Sequence, residues 1–126
     1  MIQGHVDQYR QAKVPTSILG KNGGISTLDA VLDIGFSGHL SISTYEIPKI
    51  DLIFSHSEMF ELGDGRKVKQ KVYLGELIFD NQRFLANVLI SKSRDTLIGA
   101  AVLANKKLEV DYTNMLVRIR NGRKKK

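Results

Sequence analysis

The sequence predicts an all-β domain, a closed barrel of short strands with one or two short helices. Three observations carry this: β-branched residues recur with a period of two, Gly, Asn and Asp punctuate the segments at short intervals, and helical spacing is scarce.

The elements follow in order. Val14 to Leu19 and Ile25 to Leu32 flank Lys21-Asn22-Gly23-Gly24, a turn sequence, and are expected to pair as a hairpin. Leu40 and Ile42 alternate with Ser41 and Ser43, the pattern of a half-buried strand. Ile47, Ile50 and Phe54 fall at helical spacing beside Pro48, which predicts a short helix starting near that proline. Gly63-Asp64-Gly65 reads as the tip of a further hairpin, because Asp-Gly adopts the positive φ angles of a tight turn. Val72 to Phe79 and Arg83 to Ile90 flank Asp80-Asn81-Gln82 as another strand pair. Ala100 to Ala104 predicts a second short helix, and Lys107 to Tyr112 with Met115 to Arg120 are the closing strands around Thr113-Asn114.

A chain of 126 residues suffices for one core, and no linker or repeat divides it. One domain is expected over 1–120, followed by a disordered basic tail, 121–126. The absence of cysteine excludes disulfides, thiolate zinc sites and cysteine nucleophiles. His5, His39 and His56 lack metal-ligand spacing, and no cofactor motif is present, so neither metal nor cofactor is expected. No signal-peptide pattern or membrane-length apolar run occurs, which leads to the expectation of a cytoplasmic protein without a membrane partner. Of the 19 basic residues, six (Arg118, Arg120, Arg123, Lys124, Lys125 and Lys126) lie in the last nine positions, and the rest match the 13 acids. The net charge of +6 is therefore a property of the chain's end. Nucleic-acid binding would have to use that basic end, since aromatic residues are few and tryptophan is absent.

The chemistry concentrates in Ala30-Val31-Leu32-Asp33-Ile34-Gly35-Phe36-Ser37-Gly38, an apolar strand that delivers one carboxylate into a glycine-rich turn. Asp-x-Gly alone is common in ordinary turns. Ser37 does not form a nucleophile elbow, because Gly38 follows it directly. Downstream, Asp95-Thr96-Leu97-Ile98-Gly99 runs into the apolar stretch Ala100 to Leu103.

Together, in order and spacing, these two elements resemble those of the retropepsin-like aspartic proteases, over roughly Gly4 to Tyr112. The resemblance is to a small prokaryotic subgroup in which phenylalanine follows the motif, as Phe36 does here. It implies an acid-protease-like barrel of one lobe per chain, with Asp33 as the catalytic carboxylate in a loop of Ile34, Gly35, Phe36 and Ser37. Leu97, Ile98 and Gly99 would support that loop, and Gly63, Asp64 and Gly65 would tip a flap over a peptide or protein substrate. Gly35 would allow close backbone approach and φ angles closed to other residues, and Gly99 close packing behind the loop.

Peptide hydrolysis of this kind needs two carboxylates about 3 Å apart. The chain carries one such motif, so the resemblance implies a homodimer in which two Asp33 side chains meet. Ile34 departs from the family, which has Thr or Ser there to hydrogen-bond across the dimer axis. Two alternatives stay open beside the peptidase: a weakened or inactive retropepsin-like domain that dimerises or binds peptide, and a small basic β-barrel that binds nucleic acid.

Overall fold

The computed structural model describes residues 1–46 and 50–123. Ten strands follow one another: β1 (Ile2–Val6), β2 (Ala12–Leu19), β3 (Ile25–Asp33), β4 (Leu40–Ser43), β5 (Ile53–Glu61), β6 (Lys67–Phe79), β7 (Gln82–Ser91), β8 (Leu97–Gly99), β9 (Lys106–Asp111) and β10 (Leu116–Asn121). A 3₁₀ turn, Ala100–Leu103, follows β8. The domain is all-β, as the sequence predicts.

Six strands close on themselves in the order β6, β7, β4, β8, β3, β2, with β2 returning to β6 through Ser17↔Ile78, Ile18↔Leu77 and Leu19↔Glu76. Closure removes the open edges of these strands. β5 extends the sheet from β6, and β1, β10 and β9 extend it from β2. Within the ring β8 runs parallel to β3 and antiparallel to β4, and β4 runs parallel to β7.

The core fills the ring. Val14 and Ile18 from β2, Leu40 and Ile42 from β4, Leu77 from β6, Val88 from β7 and Ile98 from β8 are fully buried. Each such side chain contributes about 1.5–3 kcal/mol relative to exposure. Val117 and Ile119 from β10 join the same cluster.

Several sequence expectations change. β4 is buried along its whole length, not on one face, because it lies between β7 and β8. Ser43 is satisfied there by hydrogen bonds: the Thr96 hydroxyl accepts from Ser43 N–H at 3.2 Å, and Ser43 Oγ accepts from Tyr45 N–H at 3.2 Å. The helix expected near Pro48 begins outside the described residues, since Ile47 and Pro48 are not among them. Phe54, which shared its spacing, is a strand residue of β5 opposite Tyr73, with the two rings edge-on at 5.7 Å. The apolar run after β8 makes one 3₁₀ turn over Ala100–Leu103. β1, which the sequence reading does not mark as a strand, pairs with both β10 and β2.

The turns behave as their residues dictate. Asp80 and Asn81 both take positive φ (53° and 62°) between β6 and β7, the geometry of a two-residue hairpin loop. At the end of the chain, Asn121 closes β10, and its side-chain oxygen accepts from Lys106 Nζ at 2.7 Å. Gly122 N–H donates to the Asn105 carbonyl at 2.8 Å.

Candidate active site

β3 anchors the site. Leu28, Ala30 and Val31 are buried, so the strand is fixed in the barrel up to its last residue, Asp33. Parallel pairing sets Val31 opposite Leu97, Leu32 opposite Ile98 and Asp33 opposite Gly99. The Asp33 carbonyl accepts from Phe36 N–H at 3.1 Å, closing the turn, and Asp33 Oδ1 accepts from Gly35 N–H at 3.0 Å. That charge-assisted bond orients the carboxylate.

Gly35 does not use a left-handed conformation, contrary to the expectation of unusual φ angles; the positive-φ glycines are Gly23 and Gly65. Its role is space. A Cβ at Gly35 would stand 3.3 Å from Asp33 Oδ1, crowding the hydrogen bond it donates.

Three backbone bonds lace this loop to the segment after β8. Gly99 N–H donates to the His39 carbonyl at 2.9 Å, Ala100 N–H to that of Phe36 at 2.7 Å, and Ala101 N–H to that of Gly38 at 3.2 Å. At Gly99 a Cβ would overlap the Gly38 carbonyl oxygen and stand 2.7 Å from that of Phe36. The close packing expected at Gly99 is thus a backbone-to-backbone contact. The Phe36 ring lies over the same spot, 2.8 Å from where Cβ atoms of Gly38 and Gly99 would stand. Ile98 is fully buried beneath. Ser37 and Ile34 face outward, Ile34 with 73% of its surface exposed.

β5 and β6 form a long hairpin whose tip is Leu62 to Arg66. Leu62 N–H donates to the Arg66 carbonyl at 2.7 Å and Gly65 N–H to the Leu62 carbonyl at 2.9 Å. Gly65 takes φ +85°, the conformation that asks for glycine. The Asp64 carboxylate accepts from Arg66 N–H at 3.0 Å and from Arg66 Nε at 2.7 Å. Nothing lies within 4 Å of a Cβ at Gly63.

Between the loop and this hairpin is a cavity of about 400 Å³, a size usual for ligand sites. From the loop it is lined by Gly35, Phe36, Ser37, Gly38 and His39, from the hairpin by Glu58, Phe60 and Val72, and further by Asn87, Leu89 and Ala101. The structure therefore brings three of the expected loop residues, Gly35, Phe36 and Ser37, to one cavity. Leu97, Ile98 and Gly99 lie behind the loop, and Gly63, Asp64 and Gly65 at the hairpin tip lie outside the lining. His39, read on sequence as an ordinary histidine, lines the cavity, and its Nδ1 accepts from Asn87 N–H at 3.3 Å. Glu58, Phe60 and Asn87 carry no local sequence signal. Among the described residues no group of three His, Asp or Glu side chains is placed to hold a metal ion. No helix among them is long and apolar enough to cross a membrane.

No family model matches the sequence, and no curated protein matches it. Solved structures do. A retropepsin-like aspartic protease from Rickettsia conorii is similar with a TM-score of 0.64 at 12% identity, over 95% of this chain and 89% of that one. The EIAV protease in complex with an inhibitor gives 0.56 at 13% identity, over 78% and 89%. The Simian Foamy Virus (mac) protease gives 0.52 at 16% identity, over 73% and 91%. The fold of this chain is that of the retropepsin-like aspartic proteases.

Proposed function

We propose that the chain is an aspartic endopeptidase of the retropepsin type, active as a homodimer in which two copies of Asp33 form the catalytic pair. The observation that carries this reading is the position of Asp33. It ends β3, whose Leu28, Ala30 and Val31 are buried, its carboxylate is held by the Gly35 amide, and Gly35, Phe36 and Ser37, though not Asp33 or Ile34, line a cavity covered by a hairpin. The shared fold of the retropepsin-like aspartic proteases supports the reading at the level of the fold, and Phe36 after the motif is the one feature that points to the small prokaryotic subgroup.

In this reading one Asp33 carboxylate takes a proton from water, whose oxygen attacks the peptide carbonyl carbon. The other gives its proton to the carbonyl oxygen. Collapse of the tetrahedral species breaks the C–N bond, and the amine leaves with a proton from the pair. The β5–β6 hairpin, tipped by Gly63, Asp64 and Gly65, is the flap that closes on an extended peptide and excludes water. The loop backing from Leu97, Ile98 and Gly99 keeps Asp33 in register.

A second reading rests on Ile34. With no hydroxyl it donates nothing across a dimer axis, and a domain that dimerises and binds peptide without cutting would share every other feature. An unbiased peptide library at pH 3 to 7 separates the two. The peptidase reading expects cleavage by the wild type and its loss in Asp33→Asn with folding unchanged. A folded dimer that cleaves nothing supports the second reading.

A further inference from the structure

The lysines of the β5–β6 hairpin share one of its two faces. Cross-strand register pairs His56 with Val72, Glu58 with Gln70 and Phe60 with Val68, and these pairs share one face. Glu58, Phe60 and Val72 from that face line the cavity. The opposite face carries Lys71 opposite Ser57, Lys69 opposite Met59 and Lys67 opposite Glu61. The lysines are thus turned away from the cavity, and an acid is turned toward it.

Glu58 is the one carboxylate among the described residues that line the cavity. Its Oε1 is engaged by His56 Nε2 at 2.6 Å, and its side chain keeps 48% of its surface exposed. Gln70, its cross-strand partner, does not satisfy it, because the Gln70 amide donates instead to the Ile90 carbonyl at 3.0 Å. Around it the walls are apolar: Phe36, Phe60, Val72 and Leu89. Apolar walls with one carboxylate suit a side chain with a long hydrocarbon stem and a cationic head.

We propose that Glu58 is a specificity-determining residue, which selects peptides carrying Lys or Arg at the position that lies against the hairpin. The proposal rests on the peptidase reading above. The substrate's stem packs on Phe36, Phe60 and Val72, and its ammonium or guanidinium bonds the Glu58 carboxylate in a partly desolvated site, where charge-assisted bonds are strong.

The test is cleavage of a peptide library by the full chain and by Glu58→Gln and Glu58→Lys, with each variant's fold checked by circular dichroism. The wild type is expected to prefer Lys or Arg at one fixed position from the cleaved bond. Glu58→Gln should reduce the ratio of kcat/KM for basic over neutral peptides by roughly tenfold or more, and Glu58→Lys should shift the preference toward Asp or Glu. Cleavage by all three proteins with one shared preference, or with no basic preference in the wild type, overturns the proposal and leaves the peptidase reading standing. In parallel, Asp33→Asn is titrated with a fluorescent peptide in Lys and Ala versions, which reads binding without cleavage. Binding of the Lys peptide at least several-fold tighter supports the role of Glu58 whether or not bonds are cut, and equal binding contradicts it.

Discussion

Asp33 and Gly99 face one another across the parallel pairing of β3 and β8, and Gly99 packs so closely that a Cβ there would overlap the Gly38 carbonyl oxygen. The carboxylate's loop is therefore seated on bare backbone. Replacing Gly99 by Ala must push the 36–38 loop away from β8 and break the bonds that lace them. The expected cost is about 1–3 kcal/mol, as for overpacking elsewhere, with activity lost beyond what stability explains. Gly63→Ala is the control, because open space surrounds that position and its change should stay within about 0.5 kcal/mol. Urea unfolding of both variants measures the difference, and equal losses would contradict the account.

Ile34 is exposed in a single copy, next to the residue proposed to meet its twin. Ile34→Asp is expected to leave each copy folded while placing like charges at the dimer axis, so sedimentation should show dissociation at concentrations where the wild type is dimeric. Ile34→Thr restores a hydroxyl of the same branched shape, and a hydrogen bond there is worth about 0.5–1.5 kcal/mol. It should raise the rate of cleavage. An Ile34→Asp dimer as strong as the wild type would remove residue 34 from the interface.

Thr16 sits in the barrel at 3% exposure, and its hydroxyl has no hydrogen-bond partner among the described residues. A buried hydroxyl left unpaired is a standing cost, and valine has nearly the same shape. Thr16→Val should stabilise the domain by about 1 kcal/mol, read as a raised midpoint of thermal unfolding. A lowered midpoint would show that the hydroxyl finds a partner in solution.

Asp7 and Asp111 set an acid limit on the fold. The Gln11 amide, with the Tyr9 amide and the Lys13 ammonium, holds the Asp7 carboxyl below its ordinary value against a smaller opposing effect of burial. The Asn114 side chain and backbone, then Thr113, do the same for Asp111. Since both pKa values are lower folded than unfolded, the unfolded chain binds more protons between them. Their stabilisation is complete above the ordinary aspartate value of about 3.9 and disappears as pH falls through the lowered values. Denaturant midpoints followed from pH 5 to pH 2 should fall, and the Asp7→Asn slope should be shallower. Parallel slopes would contradict the assignment.

Much of the fold was legible in local residues. Asp80-Asn81 and Lys21-Asn22-Gly23-Gly24 announce their turns, and the apolar run Ala30-Val31-Leu32 carries Asp33 to a strand end. β5 was not legible, because nearly every residue from Ile53 to Glu61 is exposed and no alternation marks it. Ile50 and Phe54 imitate a helix there while serving different purposes, one in the core and one against Tyr73. Ser41 and Ser43 read as solvent-facing because nothing local shows that β4 lies between β7 and β8, which come from elsewhere in the chain. The candidate site divides the same way. Asp33, Gly35 and Gly99 stand in a recognisable local pattern, whereas Glu58 and Asn87 reach the cavity only through strand pairing.

The central claim concerns two copies of one residue, and the separation between their carboxylates in a crystal of the dimer tests it most directly. Two Asp33 carboxylates on a two-fold axis, with oxygens about 3 Å apart and Gly35 amides donating to them, is the predicted result. A dimer that holds the two Asp33 side chains beyond hydrogen-bond reach, or a chain that stays monomeric, would contradict it.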